Sequence, residues 1–441
     1  MGEEATKTTF MDKFQAVMEK TVVPIGMKIS QQKYLAAIRD GMTVIIGVTI
    51  VGGFACLLAV PPIPEGLQGG NLFFDFLLAW QAWATANAAI LMTPYQLSMG
   101  IISLYVVAGV SYQLAKTYKM DAVNNMISAI FVFLTVSGAI DLANATINIS
   151  MLGASYMFGA LVIALIVVEV NHQCMVHNVR VKLPDSVPPN VSAPFDTLIP
   201  LVFNIVGFSL LNALCTGLTG AGLTSLVFTI FQPLLSATGS LPSIIIINMI
   251  STTFWFFGIH GGNMTGVVVT PVTTAALAAN LEAYQAGKPM EYIFSGAMNG
   301  VFGNWTTYLG LVIICLVVCK SARLKAVARL SVTTSLFNIN EPMIFGMPTV
   351  LNVYTYIPLL FCTVFNVSLY YVFASLDLVG KFYITLPFTV PAPLQAFLAT
   401  MDWRTLPLWA VMLVIDMLVC LPFMKAYDKQ VQAEETAAEA A

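Results

Sequence analysis

The stretch "TVIIGVTIVGGFACLLAV", Thr43–Val60, is 18 residues of apolar or small side chains without a charge. Comparable runs recur at "GALVIALIVVEV", Gly159–Val170, and "TTYLGLVIICLVVC", Thr306–Cys319. A helix needs roughly 20 such residues to cross about 30 Å of hydrocarbon. Because 58% of the 441 residues are hydrophobic and only 9% are charged, the sequence predicts an all-α polytopic membrane protein.

Eleven segments are candidate spans, of which one or two need not cross the membrane. They lie near 41–60, 72–92, 96–116, 122–140, 153–171, 196–219, 222–238, 243–257, 293–319, 352–375 and 406–424. Lysine and arginine concentrate in the N-terminal arm, at Lys320–Arg329 and after Met424, which predicts that these regions are cytoplasmic. The segment from Pro61 to Gly70 has no lysine or arginine and is therefore expected outside. Two full spans after it conflict with this rule, because they place Lys116 and Lys119 outside as well.

Composition changes along the chain suggest five regions. They are a cytoplasmic amphipathic arm at 1–33, an N-terminal transmembrane half at 34–171, a polar connector at 172–195, a C-terminal transmembrane half at 196–428 and a flexible tail at 429–441. Four prolines predict that the second half of the connector is not helical. The arm lacks the apolar core of a secretory signal. The seven cysteines show no metal or redox spacing, and no basic field suggests nucleic acid, so we expect neither a metal, a cofactor nor a nucleic-acid partner.

The first interruption of the helical pattern is "FWFFGIHGGNMTGVVVTP", Phe254–Pro271. Broken backbone inside a membrane is tolerated only where it is buried in protein or lines a cavity, and transporters commonly build their binding sites there. Glycines flank His260, which can donate or accept a hydrogen bond. His260 is therefore a candidate ligand-binding residue; the alternative is a structural histidine that caps a helix end.

The second interruption is "NINEPMIFGMP", Asn338–Pro348. Pro342 disfavours the helical conformation at Glu341, and Gly346 and Pro348 interrupt the chain again, so a re-entrant hairpin is predicted. A carboxylate at mid-membrane costs roughly 3 kcal/mol or more, so Glu341 needs partners or a proton. We expect it to contact the ligand; the alternative is a neutralised acid that joins two helices.

A third interruption, "ITLPFTVPAPLQAFLATMDWRTLPLW", spans Ile384–Trp409. Phe388 and Trp403 suit stacking on a ring, and Arg404 suits an acid or a phosphate. Interfacial anchoring explains Trp403 and Arg404 equally well. In contrast, "SGAMNGVFG", with Gly296 and Gly300 four apart, indicates close helix packing more than a site.

The three interruptions together supply a carboxylate, an imidazole, amides and aromatic rings without a cluster of cations. Carboxylates accept charge-assisted hydrogen bonds from hydroxyl groups, amides both donate and accept, and aromatic faces suit C–H surfaces. The combination predicts a site for a neutral polyhydroxylated ligand, of which a sugar is the natural example.

At these residues the chain resembles enzyme IIC, the membrane subunit of the bacterial phosphotransferase system, in its lactose/cellobiose/diacetylchitobiose family. The segments "GIHG" at 258–261 and "NINEPMIFGMP" are the most characteristic. "KYLAAIRDGM", "LPDSVPPNVSAPFDTLIP" and "FLATMDWR" follow the family's order, so the resemblance covers about Lys33 to Lys425.

The resemblance implies a homodimer in the bacterial cytoplasmic membrane, with about ten spans and two re-entrant hairpins in each protomer. It further implies a dimerising N-terminal half and a sugar-binding C-terminal half. The partner would be a cytoplasmic IIB subunit, with IIA upstream, whose phosphocysteine phosphorylates the 6-hydroxyl of the sugar; no chemistry is expected without phosphorylated IIB. The implied site consists of Trp255, His260, Gly261, Asn340 and Glu341, with Glu341 and His260 assisting deprotonation of that hydroxyl.

Two departures from the family pattern concern the third interruption. Phe388 stands where the family usually has a tryptophan, which keeps stacking but removes the indole N–H. "TMDWR" replaces the commoner "GGDWR", which alters the turn before Trp403. Phe388 and Trp403 complete the predicted site for a sugar, expected to be a disaccharide. A secondary transporter in which Glu341 carries a coupling proton is the alternative, while an intramembrane hydrolase lacks a nucleophile.

Overall fold

A computed structural model describes residues 28, 32–59, 61, 69–70, 72–142, 144–184, 189–347 and 349–439. The expected amphipathic arm at 1–33 lies almost wholly outside them. Within these described residues, nine helices occur up to Thr219. They are α1 Lys33–Val44, α2 Ile46–Ala59, α3 Leu72–Ala86, α4 Ala88–Gln96, α5 Ile102–Thr117, α6 Ala122–Val136, α7 Met157–Val176, α8 Pro189–Asp196 and α9 Leu198–Thr219.

Nine further helices follow in the described residues. They are α10 Leu223–Thr238, α11 Leu241–Phe256, α12 Gly261–Gln285, α13 Trp305–Val317, α14 Ala322–Leu336, α15 Glu341–Gly346, α16 Val353–Ser375, α17 Ala392–Thr400 and α18 Thr405–Glu439. Short 3₁₀ turns occur at Met99–Ile101, Ile149–Leu152 and Ala154–Tyr156, and a π-helical segment at Gly300–Asn304 precedes α13. Two-residue strands β1, Ile140–Asp141, and β2, Thr146–Ile147, form one antiparallel hairpin. The predicted all-α membrane fold is confirmed.

Eight helices among the described residues are long and apolar enough to cross a membrane, or up to nine if α10 and α11, bent by 72°, form one broken span. One of the eight runs from Ala88 to Thr117. Helix α3, with 15 residues, reaches only about 22 Å and is too short to cross alone. With one crossing rather than two between Pro61 and Lys116, the positions of Lys116 and Lys119 agree with the positive-inside rule.

Two predictions about non-helical regions are wrong. Helix α8, Pro189–Asp196, occupies the second half of the connector and contains Pro194 in its interior. The tail is also not free: α18 continues to Glu439. Within the tail, Glu435 accepts hydrogen bonds from the Ser321 hydroxyl group at 2.7 Å and from the Arg323 backbone N–H at 2.8 Å. These contacts fasten the tail to the start of α14 and keep it helical.

Buried polar side chains join elements between the halves and within the second half. Between the halves, Asn171 donates to Asn125 and Asn204 donates to Asn171, at 2.8 and 2.9 Å, which links α6 and α7 of the first half to α9 of the second. In the second half, Asn280 donates to the carbonyl oxygen of Phe382 at 2.9 Å and accepts from the Tyr292 N–H at 3.0 Å. Asn280 thereby holds the loop before α17 against α12, which positions one wall of the site described next.

Candidate functional site

A cavity of about 910 Å³ opens where the broken helices of the second half meet. It is bounded by the C-terminal turns of α11, the N-terminal turns of α12, the π-helical segment, the start of α13 and the Asn338–Ile344 stretch. The predicted residues Trp255, His260, Asn340, Glu341 and Phe388 all line it. The structure thus brings together side chains from all three predicted interruptions.

His260 both caps a helix and faces the cavity. The Asn263 backbone N–H donates to His260 Nδ1 at 3.1 Å, and Gly258 just before it has φ +73°, a conformation that favours glycine. Because Nδ1 accepts a hydrogen bond, the neutral ring carries its proton on Nε2. Nε2 lies 4.0 Å from Glu341 Oε1, and both side chains are about half exposed. The capping role that the sequence left as an alternative therefore coexists with a position in the cavity.

Glu341 is the first residue of α15, so the prediction of non-helical backbone there is wrong. Pro342 lies in the first turn, where its missing N–H would have no helical partner in any case. The underside of α15 is fixed by Met343 and Ile344, which are buried in an apolar cluster with Leu311. Among the described residues, the ion pairs of Glu341 comprise His260 alone. The carboxylate is therefore presented to the cavity from a rigid support without a competing cation.

Two asparagines before Glu341 shape the site in different ways. Asn338 adopts φ +65°, and its Nδ2 donates to the carbonyl oxygens of Phe388 and Val390, both at 2.6 Å. These bonds draw the third interruption toward the second. Asn340 is only 5% exposed; its Nδ2 donates to the Asn338 carbonyl oxygen at 3.3 Å, while its Oδ1 has no partner among the described residues. That oxygen is a buried acceptor without a donor in the described part of the chain, and a ligand hydroxyl group is the kind of donor that would satisfy it.

The remaining aromatic predictions separate into two groups. The centroids of the Trp255 and His260 rings lie 4.3 Å apart. Trp255 is largely buried, so it supports the histidine by packing against it. Phe388 is 59% exposed and lines the cavity. Trp403 is 66% exposed but does not line it. Beside Trp403, Arg404 Nη2 lies 2.7 Å from Asp402 Oδ2, and these hydrogen bonds raise the pKa of Arg404 above its ordinary value.

Gly261 acts through packing, since a Cβ on it would lie 2.0 Å from the Ser251 carbonyl oxygen. The glycine lets α12 begin against α11 and so places His260. A comparable close approach occurs at Gly300, where a Cβ would lie 2.6 Å from the Trp305 ring. The predicted close packing at "SGAMNGVFG" is therefore present, and Gly296 and Gly300 also line the cavity.

Comparison with known families decides the identity of the chain. The family model described as "Phosphotransferase system, EIIC" matches residues 39–362, nearly three quarters of the sequence. The chain belongs to the phosphotransferase EIIC family. It is a multi-pass, sugar-specific membrane permease, as the resemblance of its two most characteristic segments implied.

Curated relatives align with this EIIC chain along nearly its whole length. The "Putative permease IIC component YwbA" of Bacillus subtilis is 30% identical and covers 97% of the chain and 98% of the relative. The "PTS system lactose-specific EIICB component" of Staphylococcus haemolyticus is 30% identical over 96% of the chain and 72% of the relative. The crystal structure of ChbC, the IIC component of the N,N'-diacetylchitobiose-specific phosphotransferase system, superposes with a TM-score of 0.86 at 26% identity, covering 95% of the chain and 99% of ChbC.

The EIIC cavity contains polar residues that sequence reasoning missed. Asn248 donates to Asn299 at 2.6 Å, and both residues line the cavity. Thr252, Thr270 and Asn304 line it as well. A signal was present: these amides and hydroxyls interrupt apolar helices such as "IIIINMISTT", where a polar group that faces lipid would be costly.

Proposed function

We propose that this EIIC permease binds a disaccharide in the 910 Å³ cavity and presents the sugar's 6-hydroxyl to a phosphorylated IIB subunit. The observation that carries the proposal is the approach of His260 Nε2 to within 4.0 Å of Glu341 Oε1, from two separate interruptions. A hydroxyl group placed between them accepts from Nε2–H and donates to the carboxylate. The free Oδ1 of Asn340 supplies a third polar contact, and Phe388 supplies an apolar face.

The two groups take different parts in phosphoryl transfer. Glu341 accepts the proton of the 6-hydroxyl, because His260 already accepts a hydrogen bond at Nδ1 and offers a donor at Nε2. The sugar oxygen forms a bond to phosphorus while the phosphorus–sulfur bond of the IIB phosphocysteine breaks, and the thiolate keeps the electron pair. His260 positions the hydroxyl oxygen and favours its developing negative charge.

Several lines of support concern the partners and the sugar. The relatives from lactic acid bacteria and staphylococci are named lactose-specific EIICB components, and others are named for oligo-beta-mannoside and lichenan. A separate IIB subunit with IIA upstream, a homodimeric assembly and a C-terminal half that moves against the N-terminal half complete the proposal. Disaccharides of β-linked sugars are the first ligands to test.

Uptake in vesicles that contain the purified permease tests the function. We expect labelled disaccharide to accumulate only with phosphoenolpyruvate and the soluble phosphotransferase proteins, and to be recovered as sugar phosphate. Free sugar accumulating on a proton or sodium gradient alone would overturn the proposal in favour of a secondary transporter. A thermal-shift screen of disaccharides, with the matching monosaccharides as controls, identifies the sugar because specific binding stabilises the folded state.

A further inference from the structure

A second cavity, of about 730 Å³, adjoins the sugar cavity at the start of α12. His260, Asn263 and Thr270 line both cavities, so the two are continuous along this helix. The opposite wall comes from α1, through Arg39, Asp40 and Thr43. Helix α1 follows the lysine-rich arm, which places this second cavity on the cytoplasmic side of the sugar site.

Arg39 supplies the positive charge of this cavity, beside the negative charge of Asp40, which also lines it. Among the described residues that line the two cavities, Arg39 is the one lysine or arginine. Its Nε donates to Asp40 Oδ1 at 2.8 Å, and within the described part of the chain the hydrogen bonds of its guanidinium group comprise that one alone. The two terminal nitrogens of the guanidinium thus remain available. Asp40 holds one edge of the planar guanidinium group. The two terminal nitrogens form a fork that can donate hydrogen bonds to two oxygens of an anion.

We propose that Arg39 binds the phosphoryl group while it passes from the IIB subunit to the sugar; this inference rests on the proposed function. The group reaches the 6-hydroxyl from the cytoplasmic side, and its non-bridging oxygens carry negative charge throughout the transfer. His260 accepts a hydrogen bond at Nδ1 and Glu341 is an acid, so neither supplies a fixed positive charge. Arg39 forms and breaks no covalent bond: phosphorus passes from sulfur to the sugar oxygen, and the hydroxyl proton passes to Glu341.

The position of Arg39 also links phosphorylation to the arrangement of the two halves. Helix α1 is packed on α5 of the N-terminal half so closely that a Cβ on Gly41 would lie 2.6 Å from the backbone nitrogen of Val110. His260 and Glu341 belong to the C-terminal half. Their cavity adjoins the cavity that Arg39 lines because the start of α12 lies opposite α1. A sliding motion of one half removes Arg39 from the site, so phosphoryl transfer is confined to the arrangement seen here.

Separate measurements of binding and phosphorylation test this role. We expect Arg39→Gln to keep sugar affinity within about twofold, because Arg39 does not line the sugar cavity, and to lower the turnover number of phosphorylation about 10²–10³-fold. Arg39→Lys keeps the charge without the fork and should lose about tenfold. The control is Lys116→Gln, which removes a cytoplasmic cation at the end of α5, away from both cavities, and should match the wild type.

Three outcomes would overturn the proposal. Phosphorylation by Arg39→Gln within twofold of the wild type would remove any role for the guanidinium. A raised KM for phosphorylated IIB at unchanged turnover would show that Arg39 docks the partner instead. A fall in sugar affinity or thermal stability in both Arg39 variants would make it structural. Failure of the wild type to phosphorylate any disaccharide is a different result, which rejects the proposed function itself.

Discussion

His260 Nε2 lies 4.0 Å from Glu341 Oε1, although one residue caps α12 and the other begins α15. Neither side chain is buried, so the pair is held together by its two supports rather than by ion-pair strength. One support is the hydrogen bond from the Asn263 N–H to His260, and the other is the apolar underside of α15. The pair is therefore preorganised before a ligand arrives, which is what a hydroxyl-binding site requires.

Removing the charge of Glu341 separates binding from chemistry. Glu341→Gln keeps an oxygen that accepts a hydrogen bond but cannot take up a proton at neutral pH. We expect disaccharide affinity within about tenfold of the wild type and phosphorylation reduced about 10²–10⁴-fold, the usual contribution of general base catalysis. Binding is measured by calorimetry and phosphorylation by transfer of labelled phosphate from phosphoenolpyruvate.

Glu291→Gln is the matched control for this substitution, because Glu291 is an exposed carboxylate that does not line the cavity. The control should behave as the wild type in both assays. Phosphorylation that survives in both Glu341→Gln and Glu341→Ala would show that the glutamate is structural, and His260 would then be the residue to test as the base.

Two substitutions of His260 distinguish its capping role from its ligand role. Asparagine is a good helix cap, so His260→Asn should keep thermal stability near that of the wild type while it removes the Nε2 donor and weakens sugar binding about tenfold. His260→Ala removes both functions and should also lose about 1 kcal/mol of stability. Calorimetry and thermal unfolding measure the two effects. Equal sugar affinity in His260→Asn and the wild type would confine His260 to capping.

Sequence reasoning found the interruptions because glycine, proline and ionisable residues are conspicuous in an apolar chain. It was wrong about the backbone at Glu341. The conformational bias of a residue before proline is outweighed there by the burial of Met343 and Ile344, which anchor the helix that begins at Glu341. It also predicted a flexible tail, because composition does not show that Glu435 binds Ser321 and Arg323 at the start of α14. Contacts between distant segments decided each of these cases.

The same limitation applies within the site. Phe388 and Trp403 were equivalent as sequence candidates, yet only Phe388 lines the cavity, because Asn338 binds the backbone at Phe388 and Val390. Likewise nothing local marks Arg39 as a neighbour of His260. The sequence supplies the chemical groups, whereas their grouping depends on how α1, α11 and α12 pack.

We expect Asn338 to control sugar affinity indirectly, through the two hydrogen bonds that hold the backbone at Phe388 and Val390 in place. Asn338→Gly retains the left-handed conformation and removes only the two donated bonds, whereas Asn338→Ala adds backbone strain. Each lost bond is worth about 1 kcal/mol, so Asn338→Gly should weaken disaccharide binding about tenfold through displacement of Phe388. Calorimetry on Asn338→Gly and Phe388→Ala, alone and combined, provides the test. Fully additive losses would refute the coupling.

Phe388 and Trp403 form a natural matched pair, because both are large aromatic residues and their exposed fractions, 59% and 66%, are similar. Phe388→Ala should weaken disaccharide binding by about 1–2 kcal/mol, the contribution expected of an aromatic contact, with little change in thermal stability. Trp403→Ala should leave the affinity unchanged, since Trp403 does not line the cavity. Phe388→Trp restores an indole N–H and is expected to bind at least as tightly as the wild type. Equal losses in the two alanine variants would mean that Trp403 reaches the sugar in another arrangement of the two halves, and the cavity described here would not be the complete binding site.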